Sequence, residues 1–210
     1  MKSAIKRVAS VQVLGLGLLF LAGCASVPAK VTLHGEENRT FYAQSFSKAF
    51  ISNGHNGEYD VVLLQDGQSA KGQEGNKPLQ PVSSADLRQI IHIHVFWQTD
   101  GGTVARDGVV TNAAISWYMI AHEATDKPEV LRYEGAGVVT LDEGHNSTTV
   151  EIRDGTMKKT QAHGGLKDPL GPSRLNGDIK ATRNNQLVED TLADLKTRTM
   201  AGKVALSQLR

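Results

Sequence analysis

A single cysteine, Cys24, occurs in 210 residues. With one thiol the chain has no intrachain disulfide and no cysteine-rich metal site. Aromatic residues make up only 5% of the sequence, and the basic and acidic residues nearly cancel, at 23 and 22. No basic patch is interleaved with aromatics, which argues against nucleic acid as a partner and against electrostatic binding to anionic lipid. Two catalytic signatures are missing as well. No G-x-x-x-x-G-K-[ST] phosphate loop is present, and no G-x-S-x-G nucleophile elbow, while Ser, His and Asp are too scattered to nominate a triad. The most apolar stretch, Val11 to Phe20, falls short of the roughly 20 residues that span a bilayer.

What is there begins at the N-terminus. Lys2, Lys6 and Arg7 precede that apolar stretch, and Leu21-Ala22-Gly23-Cys24 closes it. Charge, apolar core and small residues before a cut make an export signal over residues 1–23. Leu21 to Cys24 resembles the lipobox of bacterial lipoproteins. The resemblance implies that Cys24 is acylated, by palmitate or a similar chain, and becomes the first mature residue. More than one acyl chain gives stable anchoring, at about 0.8 kcal/mol per buried CH₂. Ala25 stands where inner-membrane retention signals often place Asp, which points to the outer membrane, on the side facing the periplasm. The other reading of Cys24 is an ordinary small residue near a conventional cleavage site.

Removing the signal leaves 187 residues, with 20 basic against 22 acidic, a net charge of about −2. That length suffices for one domain with a sizeable core. Residues 24–30 read as a tether and 31–210 as a single β-rich domain. Strands are expected at Val31–His34, Tyr59–Leu64, Gln89–Trp97, Val109–Ala121, Leu131–Leu141, Thr148–Arg153, Thr156–Thr160 and Asp178–Thr182. Turn signals sit at Asp142-Glu143-Gly144, Asp154-Gly155 and Asn176-Gly177. In the clearest strand, Ile91, Ile93, Val95 and Trp97 share one face, while Ile90, His92, His94 and Phe96 share the other. In the next, Ala113, Ile115, Trp117 and Met119 share a face opposite Asn112, Ser116 and Tyr118.

Tyr42, Phe46 and Phe50 are four apart, which favours a helix over Thr40–Ser52. Gln65 to Pro81 is polar and Gly-rich and reads as a surface loop. From Asn184 or Asn185 onward, Leu187, Val188, Leu192 and Leu195 form one apolar stripe of a C-terminal helix. Early Glu189 and Asp190 with late Lys196 and Arg198 suit its dipole, and Gly202 is positioned to end or kink it. The expected fold is therefore mainly β with a C-terminal α-helix, an antiparallel meander forming a sandwich or open barrel.

Three groups of residues invite a functional reading. His92 and His94, two apart on one strand, project together as metal ligands do, and His122 can supply a third. The pattern resembles the three-histidine zinc site of α-type carbonic anhydrases, although this chain is shorter and the sequence around His122 departs from theirs. The alternative is a pair of half-buried histidines hydrogen-bonded on the polar face of a sheet. Lys167 to Leu175 is a loop stiffened by prolines, in which Asp168, Pro169, Gly171, Pro172 and Arg174 form either a recognition surface or a crossover between the last strands. In Tyr133-Glu134-Gly135-Ala136-Gly137 the glycines precede β-type Val138-Val139-Thr140, so they mark a bulge or close backbone contact rather than a nucleotide site.

The strand with Asn112 to Trp117, the segment Tyr133–Val139 and the loop Asp168–Gly177 are similar to a group of uncharacterised bacterial envelope proteins. That resemblance brings no activity, only a single domain ending in a helix. The function expected is a membrane-tethered envelope lipoprotein with a non-enzymatic binding or structural role, an envelope protein as partner and no cofactor. The alternatives are a carrier of a small apolar ligand, or a metal-dependent hydrolase or lyase using the histidines.

Overall fold

The computed structural model describes residues 29–36, 41–66, 87–98, 111–121, 129–166, 168 and 170–207. The lipidation candidate Cys24, the polar loop after Asp66, His122 and Pro169 lie outside the described residues. Among the described residues, nine strands and one α-helix follow in chain order: β1 (Ala29–Gly35), β2 (Phe41–Phe46), β3 (Lys48–Asn53), β4 (Tyr59–Gln65), β5 (Leu87–Val95), β6 (Ala113–Ala121), β7 (Glu129–Glu143), β8 (Ser147–His163), β9 (Ser173–Arg183) and α1 (Asn185–Ser207), with a short 3-10 turn at His55–Gly57 between β3 and β4.

Strands β3 to β8 form an antiparallel meander, and β9 returns to close it. On one edge β9 pairs antiparallel with β8; on the other it pairs in parallel with β3, through Phe50–Thr182 and Ile51–Arg183. The result is a seven-strand mixed barrel, mainly β with a C-terminal helix as the sequence predicts. Strands β1 and β2 are additions: β1 lies between β2 and the first half of β9. It starts at Ala29, two residues inside the expected tether.

Period-two alternation decides what fills the barrel. Val61 and Leu63 of β4, Ile91, Ile93 and Val95 of β5, and Ile115, Trp117 and Met119 of β6 point inward and are buried. Tyr133, Val139, Val150, Leu175 and Ile179 complete the interior. Each large side chain taken fully from water contributes about 1.5–3 kcal/mol. Trp97 departs from the expectation. β5 ends at Val95, and both Phe96 and Trp97 lie beyond it, 46% and 40% exposed.

The second apolar cluster is on the outer wall. Val62, Leu64, Ile90, Tyr118 and Ile120 are covered by Val188 and Leu195 of α1, with Leu187, Leu192, Phe50 and Val130 at the margin. Asn184 starts the helix twice over. Its side-chain oxygen accepts from Leu187 N at 3.1 Å, and its own N–H donates to the Ile51 carbonyl at 3.0 Å. The cap therefore fixes both the first turn and its position on β3. The helix runs through Gly202 to Ser207, so Glu189 and Asp190 lie beyond its first turn and Lys196 and Arg198 well before its last. The dipole acts only within the end turns; Arg198 instead pairs with Asp194 one turn back, at 2.8 Å.

Three expectations fail for identifiable reasons. Of the expected helix over Thr40–Ser52, the described part from Phe41 onward is strand, bent at Ser47 so that Phe46 faces the interior and Phe50 the helix. Asp154-Gly155 is a bulge within the long β8 rather than a turn, with Asp154 at φ +49°. Asn176-Gly177 lies inside β9, where Asn176 Oδ1 accepts the Asp154 N–H at 2.9 Å. The two turn signals stabilise each other across neighbouring strands. The glycines at 135 and 137 do mark close backbone contact: a Cβ on Gly135 would stand 1.4 Å from the Thr156 carbonyl oxygen.

Candidate functional site

His92 and His94 leave β5 on the outer wall, next along the strand from the helix-covered Ile90. β4 runs beside them in register, placing Asp60 directly opposite His94. Its Oδ1 accepts from His92 Nε2 at 2.7 Å and from His94 Nδ1 at 2.8 Å. One carboxylate oxygen thus serves two imidazoles. The three side chains are partly covered, at 21%, 31% and 22% exposure for His92, His94 and Asp60. Buried Ser52 on β3 lies opposite Asp60, and Ser116 on β6 opposite His92. The Phe96 ring meets His94 edge-on, with centroids 4.9 Å apart.

Burial pushes the Asp60 carboxyl up, but the hydrogen bonds and charges of both imidazoles outweigh it and hold it below its ordinary value. Asp60 is therefore a carboxylate at neutral pH, and each ring nitrogen facing it carries a proton. Two imidazole nitrogens and a carboxylate oxygen, all within 4.8 Å of one another, are a donor set that can either share protons or hold a metal ion.

The sequence places His92 and His94 on one face, as the structure does, and names as a third ligand His122, which lies outside the described residues. Ala121, the residue before it, pairs with Leu87 at the opposite end of β5 from His92 and His94. The group that meets the histidines is Asp60, which no local motif marks.

The proline-stiffened loop joins β8 to β9 and closes the lower end of the barrel. Leu166 and Leu170 insert into the core. Asp168 fastens them: it accepts from the Tyr133 hydroxyl, from Leu170 N at 3.1 Å and from Gly171 N at 3.0 Å, and pairs with Lys159 at 3.2 Å. Burial raises the Asp168 carboxyl, yet the Tyr133 hydroxyl, the two backbone donors and Lys159 bring it below its usual value. Gly171 takes φ +63°, Pro172 O accepts from Glu36 N at 2.8 Å, and Arg174 pairs with Glu36 at 3.2 Å on the surface. These contacts are those of a plug. At the opposite rim Tyr59 donates to Glu143 at 2.6 Å, and Arg183 pairs with the same carboxylate at 3.1 Å. A tyrosine–carboxylate latch thus sits at each end.

A polar residue that the sequence places on the strand face opposite Trp117 also proves central. Asn112 is fully buried, donates to the Trp97 and Val139 carbonyls at 3.0 and 2.7 Å, and accepts from Val139 N at 2.8 Å. It joins the end of β5 to β7 where the ladder begins.

No helix among the described residues is long and apolar enough to cross a membrane. Compared with known proteins, the chain matches no family model, no curated protein and no solved structure.

Proposed function

We propose that the chain is a lipid-tethered protein of the bacterial cell envelope, held at the periplasmic side of the outer membrane through Cys24. Its role in this reading is binding or structural rather than catalytic. One observation carries it: the lone cysteine of the chain closes Leu21-Ala22-Gly23-Cys24, directly after a basic start and an apolar core. The fold is compatible with such a tether. β1 starts at Ala29, so residues 24–28 separate the anchor from the barrel by at most about 18 Å. A body held that close to lipid meets its partner through its outer surface.

The inner surface is already committed. Trp117, Tyr133 and Met119, among other described residues, fill the barrel with fully buried side chains, and Leu33 of β1 and Phe46 of β2 join the same cluster. A carrier of an apolar ligand draws no support from this interior, since small barrels bind ligands when a cavity is left between such side chains.

Mass spectrometry of the N-terminal peptide from membranes tests the tether. The expected product starts at Cys24 with acyl chains on it, and a Cys24→Ser variant moves to the soluble fraction. A mature protein with a free thiol that washes off membranes in high salt would refute it.

A further inference from the structure

We propose that Asp60, His92 and His94 form a site for one divalent transition-metal ion, of which zinc fits best, on the outer wall of the barrel. The chemistry of the donors selects the ion. Two imidazole nitrogens and one carboxylate oxygen suit zinc, nickel or copper, whereas magnesium and calcium take oxygen ligands throughout. Side chains two apart on a strand project together, and the unbroken β4–β5 register from Tyr59–Val95 to Gln65–Gln89 fixes the third donor across from them.

The geometry needs little change. Asp60 Oδ1 lies 2.7 and 2.8 Å from the two ring nitrogens. A tetrahedral ion with bonds of about 2.0–2.2 Å keeps its ligand atoms roughly 3.3–3.5 Å apart. Each contact must therefore open by about 0.5–0.8 Å, a change that side-chain rotations can supply while the ladder stays as it is. Binding also requires a lone pair where each ring now carries a proton. In a neutral imidazole that proton moves to the other ring nitrogen, a change of tautomer, and a charged imidazole releases it to solvent.

Electrostatics points the same way. Among the described residues, Asp60 is paired with the two imidazoles and with no Lys or Arg. An ion bound there takes over the place that the two ring protons hold against the carboxylate. Three protein ligands on a partly exposed wall leave the fourth position to water, the arrangement of an open zinc site. The site is independent of the tether, and either proposal can fail without the other.

The test uses the full chain, purified in detergent and stripped with a chelator. Zinc is titrated by calorimetry and cobalt(II) by its visible absorption. The expected result is one ion per chain and a cobalt spectrum of tetrahedral N/O type. His92→Ala, His94→Ala and the near-isosteric Asp60→Asn should each weaken zinc binding at least about 100-fold, since loss of mere supporting contacts already costs 10–100-fold. His145→Ala, on the exposed turn between β7 and β8, should change nothing. Zinc should also raise the melting temperature of the wild type and not that of the double His92→Ala, His94→Ala variant. A wild-type chain that binds zinc no more tightly than about 100 µM overturns the proposal whatever the variants do. So does binding of unchanged strength in the double variant.

Discussion

Gly135→Ala adds one methyl group where two strands touch. Its φ is not in the left-handed region, so backbone conformation gives alanine no penalty there; the cost is one of space. The new Cβ would lie 1.4 Å from the Thr156 carbonyl oxygen and 2.5 Å from its carbon. Both are backbone atoms, which no rotamer change can move aside. β7 and β8 must separate by nearly 2 Å at Gly135–Met157, next to buried Tyr133 and Met157. Two or three ladder hydrogen bonds then weaken, at about 1 kcal/mol each, and the displaced core adds about 1–3 kcal/mol. A total of about 3–6 kcal/mol lowers the melting temperature by about 10–20 °C in a domain of this size. Gly57→Ala is the comparison, with φ +79° and nothing within 4 Å of its would-be Cβ. Its left-handed backbone alone costs about 1–2 kcal/mol. Thermal melts of the three proteins decide the matter. A Gly135→Ala variant that melts within a few degrees of wild type, or no lower than Gly57→Ala, refutes the close-approach argument.

Replacing Asp168 with Asn keeps an acceptor but removes the charge that Tyr133, Leu170, Gly171 and Lys159 address, and should cost about 1–2 kcal/mol at neutral pH. The folded carboxyl lies below its ordinary value. Its contribution is thus complete above the unfolded value of about 3.9 and disappears as pH falls through the folded one. Denaturation followed from pH 5 downward should show a steeper loss in wild type than in Asp168→Asn, and parallel curves would contradict it. Asn112→Ala removes the buried bonds to the Val139 N–H and carbonyl and the partly buried one to the Trp97 carbonyl, for a loss of about 2–4 kcal/mol in urea titrations. Asn112→Asp should cost still more, because its carboxylate would face two carbonyl oxygens.

Where sequence reasoning reached the structure, one period was unambiguous. Ile91, Ile93 and Val95 alternate with polar partners and are the inner face of β5; Leu187, Val188, Leu192 and Leu195 are helical in spacing and pack as a stripe. Tyr42, Phe46 and Phe50 misled because a spacing of four satisfies both periods. Only the bend at Ser47 decides which way Phe50 faces. Asp154-Gly155 and Asn176-Gly177 carry the composition of turns, yet they meet across a bulge, a partnership between distant segments that no local pattern records. Asp60 was hidden for a related reason. The register that sets it opposite His94 depends on a long connection between β4 and β5, whereas a tight turn would have let it be counted from the sequence.

The order in which the polypeptide emerges has a consequence for how it folds. The strand that completes the ring, β9, is made after all the others, and it joins β1 across contacts such as Thr32 to Asn176, 144 positions apart. Until it arrives, the meander has two open edges, at β3 and β8, each able to template pairing with another molecule. Closure across such separations is slow, so nascent chains depend on protection until β9 has emerged. Premature stop codons upstream of Ser173 should therefore yield aggregates rather than partly working fragments.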